Sequence, residues 1–111
     1  MTELAALGVP VVQSESPPPV RDNDFLARSA ATSLPGIEEF GISPPMLRYK
    51  IWRLHSMAYA DFCTARGITY LRNPSGVSEA DGFLKREFWG DFVHGNARYG
   101  AAVLAQLKGL A

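Results

Sequence analysis

The apolar positions fall into two alternating patterns. Val9-Pro10-Val11-Val12-Gln13-Ser14 and Ile68-Thr69-Tyr70-Leu71 are short β-branched runs, the composition of strands. Between them Leu47, Ile51, Leu54, Ala58 and Phe62 recur at spacings of four, three, four and four, which is one face of a 3.6-residue helix. The chain therefore predicts a helix over 45–66, announced by Ser43-Pro44-Pro45, in which Ser43 can cap and proline is favoured at the first helical position, and closed by Gly67. Two strands joined through one long helix predict a parallel, adjacent pair with a right-handed crossover. The stripe Leu47, Ile51, Leu54 and Phe62 is expected to face the sheet.

The remaining segments fit the same rhythm. Thr2 to Leu7 suit the last turns of a helix, with Gly8 just beyond its end, where a left-handed glycine belongs. Ser16-Pro17-Pro18-Pro19 stops the first strand, since proline donates nothing to a ladder. Asp22-Asn23-Asp24 is read as the cap of a short helix through Phe25 to Ala31, Pro35-Gly36 as a turn, and Ile37 to Phe40 as one further helical turn. Asn73-Pro74-Ser75-Gly76 is a turn, residues 77–95 a loop-rich segment, and Asn96 the cap of a last helix to about Leu107. Tyr99, Val103 and Leu107 share one side of that helix. The fold class is α/β in a single domain over 1–111. Two parallel strands do not make a self-sufficient buried sheet, so the fold reads as partial, with an exposed strand edge that invites self-association.

Composition narrows the function. Lys plus Arg and Asp plus Glu number 11 each in 111 residues, so no net field favours nucleic acid. No run approaches the ~20 apolar residues that span a bilayer, and the first residues lack the basic, then apolar, pattern of a signal peptide. With the one cysteine, Cys63, this gives an expectation of a cytoplasmic location.

The chemistry concentrates in Asp91-Phe92-Val93-His94-Gly95-Asn96. A histidine acting as a general base needs a carboxylate to set its tautomer and to stabilise the imidazolium. Three residues apart on a tight turn, Asp91 and His94 can bend together, immediately before a helix start. The wider pattern Asp91-x-x-His94-x-Asn96-x-x-Tyr99-Gly100, leading into a helix of small residues, resembles the last block of SGNH (GDSL-type) hydrolases. That resemblance implies a partial flavodoxin-like fold and Ser-His-Asp acyl hydrolysis of a small-molecule ester, with Asp91 and His94 as the catalytic pair. The family's Gly-Asp-Ser-like nucleophile block and its oxyanion-hole blocks have no counterpart here. Ser14, Ser16, Ser75 and Ser78 sit on no nucleophile elbow. The chain thus reads as an SGNH hydrolase-like C-terminal half lacking the serine and about three N-terminal strands of the parallel sheet. The alternative is a non-catalytic α/β interaction module.

Other side chains have plainer readings. His55, beside the apolar stripe, is expected to be a partly buried structural histidine, and Cys63 a small buried hydrophobe. His55 and His94 lack a third partner at metal-ligand spacing, and Asp22-Asn23-Asp24 lacks the glycine and terminal glutamate of a calcium loop. No cofactor or metal is expected. Phe83, Phe88 and Trp89 are expected to pin their loop to the core more than to wall a pocket.

Overall fold

The computed structural model describes Gly8 and residues 10–110. The expected helix tail over 2–7 and the first residue of the expected strand, Val9, lie outside the described residues. Within them the chain is a mixed α/β structure with a two-stranded parallel sheet and three α-helices. β1 (Val12–Ser14) leads through α1 (Asn23–Ser33) and α2 (Pro45–Ala65) to β2 (Thr69–Leu71), and α3 (Ala97–Lys108) ends the chain. β1 and β2 pair in parallel with Val12 opposite Thr69 and Ser14 opposite Leu71, so the expected adjacency holds.

The helix ends follow local chemistry. Asp22 caps α1, its side chain accepting from the Phe25 N–H. Asn96 caps α3 by accepting from the Tyr99 N–H at 3.1 Å. α1 starts two residues earlier than the expected helix and ends two later. The expected Ser43 cap is corrected: Pro44 occupies the cap position of α2 and no side chain bonds there. After α2 the chain reverses at Gly67, whose φ of 67° suits a residue without a Cβ.

The expected inner face of α2 is overturned. Leu47, Ile51, Leu54 and Phe62 are exposed, with Leu54 at 65%, and Ala58 is exposed as well. The helix instead turns Tyr49, Trp52, Ser56, Ala60 and Cys63 inward, at spacings of three, four, four and three. The two stripes are offset by one or two residues, about 160° around the axis on average, so they are nearly opposite faces. Ser56 is 3% exposed and bonds a buried carboxylate, while Cys63 is fully buried beneath β2. A polar residue with partners and two aromatics thus win the inner face over a more hydrophobic stripe. One consequence is measurable. Leu54→Gln, with similar helix propensity, is expected to change the free energy of urea unfolding by about 0.5 kcal/mol or less. A buried leucine would cost about 2 kcal/mol or more.

The main core lies beside the sheet. Val20, Leu26, Val77, Leu84 and Tyr99 cluster with Phe25, Phe88, Trp89 and Phe92 around them. The irregular excursion between β1 and α2 is held by Arg48, whose guanidinium donates to the Val20 carbonyl at 2.8 Å, the Arg21 carbonyl at 3.1 Å and the Asn23 side chain at 2.8 Å. Among the described residues no helix is long and apolar enough to cross a membrane.

Candidate functional site

The turn over 90–95 is built from its own backbone. The Gly90 and Asp91 N–H groups both donate to the His94 carbonyl, at 3.1 and 3.2 Å. Trp89 and Gly95 form an antiparallel bridge, and Asn96 donates back to the Phe88 and Glu87 carbonyls. Gly90 is required by space, because a Cβ there would meet the His94 carbonyl oxygen at 2.6 Å.

This turn brings the two expected site residues together. Asp91 Oδ1 accepts the Val93 N–H at 2.8 Å and the His94 N–H at 2.7 Å. His94 Nδ1 then lies 3.0 Å from Oδ1 and 2.9 Å from Oδ2. The Val93 N–H first, and His94 second, hold the Asp91 carboxyl down to about 2 from its ordinary 3.8. A depressed carboxyl contributes above its unfolded value and the contribution fades only as pH falls toward 2, so Asp91 is ionised wherever an imidazole titrates. An ionised Asp91 accepts a proton donor, which places the hydrogen on Nδ1 and leaves the Nε2 lone pair open. The His94 side chain is 74% exposed. His94 lines a cleft of about 290 Å³ together with Ser16, Pro18, Trp52 and Leu84. Ser16 thus lines the same cleft, but no hydrogen bond joins its hydroxyl to His94 among the described residues.

A second polar group was not visible in the local sequence pattern. Glu15 follows β1 directly, and only 8% of it is exposed. Its Oε1 accepts the Asn73 N–H at 2.9 Å and the Asn73 side-chain amide at 3.0 Å. Its Oε2 accepts the Ser56 hydroxyl, and Tyr70 OH lies 2.9 Å from that hydroxyl. Tyr99 OH donates to Asn73 Oδ1, and burial pushes the Tyr99 phenol up to about 12, so it stays a donor. Asn73 and Trp52 both donate to the Ser16 carbonyl, at 2.8 and 3.1 Å. The network ties the C-terminal ends of both strands to α2 and fixes the backbone of the residue that enters the His94 cleft. The signal available was positional: Glu15 and Asn73 both lie just past parallel strand ends, where such folds gather functional groups.

The remaining expectations divide. Cys63 is buried as expected. Phe83 is 1% exposed, and Trp89 is pinned by its bond to the Leu84 carbonyl at 3.1 Å and by Phe25 at 4.7 Å, so both serve the core. His55 is corrected from partly buried to exposed. Its ring lies 4.5 Å from that of Tyr59, tilted by 43°, and both line a cleft with Gln13, Ser14 and Tyr70. Among the described residues no group of three His, Cys, Asp or Glu side chains is placed to hold a metal. No family model, curated protein or solved structure matches the chain.

Proposed function

We propose that the chain supplies the aspartate–histidine end of a Ser-His-Asp acyl hydrolase of the SGNH type, on the C-terminal part of a flavodoxin-like sheet. Asp91 holds His94, and His94 Nε2 takes the proton of a serine that another segment or polypeptide brings, then returns it to the leaving alcohol. The substrate class is a small-molecule ester. The observation that carries the reading is the Asp91–His94 pair at 2.9 and 3.0 Å, with the carboxylate locked by its own turn. The exposed stripe of α2 and the open edges of a two-stranded parallel sheet suit a serine-bearing segment that would extend the sheet and cover the helix.

The serine matters because imidazole without a positioned nucleophile contributes little beyond background. The 111-residue chain alone is expected to hydrolyse a p-nitrophenyl ester no faster than its His94→Ala variant. It is also expected to take no label from a fluorophosphonate. Joined to a segment carrying a Gly-Asp-Ser block, it is expected to gain ester hydrolysis that His94→Ala abolishes. Hydrolysis that survives His94→Ala would contradict the reading. Labelling of Ser16 in the isolated chain, lost in His94→Ala, would replace it with a self-contained hydrolase.

A further inference from the structure

The cleft that holds His94 meets a second one. Pro18 and Trp52 line both. The second cleft has a volume of about 530 Å³, within the usual range for small-molecule sites. Its walls differ in character. Tyr49 and Trp52 form an aromatic side, their ring centroids 5.7 Å apart, and the Trp52 indole is fixed by its bond to the Ser16 carbonyl. Arg53, Arg72, Ser75 and Ser78 line the same cleft.

The charges in this cleft favour an anion. Glu15 is the one carboxylate among its lining residues, and both of its oxygens are taken up by Asn73 and Ser56. Arg72 Nη1 stands 3.6 Å from Glu15, longer than a hydrogen bond, and its side chain is 64% exposed. Arg53 has no carboxylate partner, and Ser75 and Ser78 make no side-chain hydrogen bond, among the described residues. Two guanidiniums and two hydroxyls therefore keep donors for a ligand. The larger cleft, of about 670 Å³, has a different balance. There Asp22, Glu79 and Asp81 accompany Arg21 and Arg86, and Asp81 already holds Arg21 at 2.7 Å.

We infer that the cleft between Trp52 and Arg72 binds an organic anion, a carboxylate or phosphate monoester whose apolar body lies on Trp52 and whose head meets Arg53 and Arg72. As a binding site this stands on the cleft itself. As the acidic end of an ester presented to His94 across the shared Trp52 wall, it rests on the function proposed above. Guanidinium groups suit both heads, since both offer paired oxygens to a planar fork of donors.

The test is a titration of the whole chain with phenyl phosphate, benzoate and benzyl alcohol, followed by NMR at the Trp52 indole N–H. One or both anions are expected to shift that signal saturably, and the neutral alcohol is not. The better anion identifies the head as phosphate or carboxylate. The Arg53→Ala, Arg72→Ala double variant is expected to weaken binding by about tenfold or more, as for lost charge-assisted hydrogen bonds, and His94→Ala is expected to leave it unchanged. If the double variant loses its dispersed spectrum, the wild-type salt dependence decides: affinity must fall with added chloride. Salt-insensitive binding overturns the inference. So do equal binding of benzyl alcohol, saturation by neither anion, unchanged affinity in the folded double variant, or loss of binding in His94→Ala. Anion binding that stays intact while a serine-completed chain hydrolyses no ester overturns the His94 reading alone.

Discussion

Asp91→Asn, made in a chain completed with a serine-bearing segment, is expected to lower kcat for ester hydrolysis by about 10⁴-fold, the scale of removing a triad carboxylate. The cause is a tautomer. Oδ1 of residue 91 is committed to the Val93 and His94 N–H groups, and an asparagine oxygen satisfies the same turn. The amide nitrogen then takes the place of Oδ2, which lies 2.9 Å from His94 Nδ1. An amide donates there, so Nδ1 must accept and the ring hydrogen moves to Nε2. A protonated Nε2 has no lone pair for the serine proton. KM is expected to change little, because Asp91 touches the imidazole and not the ester. His94→Ala is expected to cost a similar factor, and the double variant no more than the larger single one, since the groups act as a unit. A loss of less than about tenfold in Asp91→Asn would mean that His94 is oriented by something other than this carboxylate, because triad groups otherwise cost orders of magnitude.

The second large effect is on stability. Glu15→Ala is expected to destabilise the fold by about 3 kcal/mol, the size found when one member of a buried polar cluster is deleted. Glu15 is the shared acceptor for Ser56, which is 3% exposed, and for two donors of Asn73. Alanine leaves the Asn73 N–H without its acceptor, the Asn73 amide with only the Ser16 carbonyl and the Ser56 hydroxyl with only Tyr70. Arg72 adds little, being 3.6 Å away and mostly in solvent. Glu15→Gln keeps an acceptor for Asn73 and is expected to cost about 1 kcal/mol, the net worth of one hydrogen bond. Urea unfolding followed by far-ultraviolet circular dichroism separates the two. Equal and small losses would show that the network contributes little to the fold.

What the sequence made legible was local. Asp22 and Asn96 cap their helices through partners three residues on, and Asp91 reaches His94 across the same interval. Such contacts are written in the spacing of residue types. The parallel pairing of β1 and β2 followed from one long helix between two β-branched runs. The inner face of α2 was not legible, because it is decided by a partner 41 residues away: Glu15 turns Ser56 inward. The leucine stripe is the more hydrophobic face, and periodicity alone selects it. Likewise Glu15 and Asn73 are 58 residues apart, and only the strand register, with Ser14 opposite Leu71, brings them side by side. Arg53 and Arg72 reach one cleft for the same reason, one from α2 and one from the end of β2.

The central claim is that Asp91 fixes the His94 imidazole with its hydrogen on Nδ1 and its lone pair on Nε2. Nitrogen-15 NMR of the ring, recorded where His94 is neutral, reads that arrangement directly. The account predicts a protonated Nδ1 and a bare Nε2 in the wild-type chain, and the reverse in Asp91→Asn. A wild-type ring that carries its hydrogen on Nε2, or one whose tautomer Asp91→Asn leaves unchanged, would contradict it.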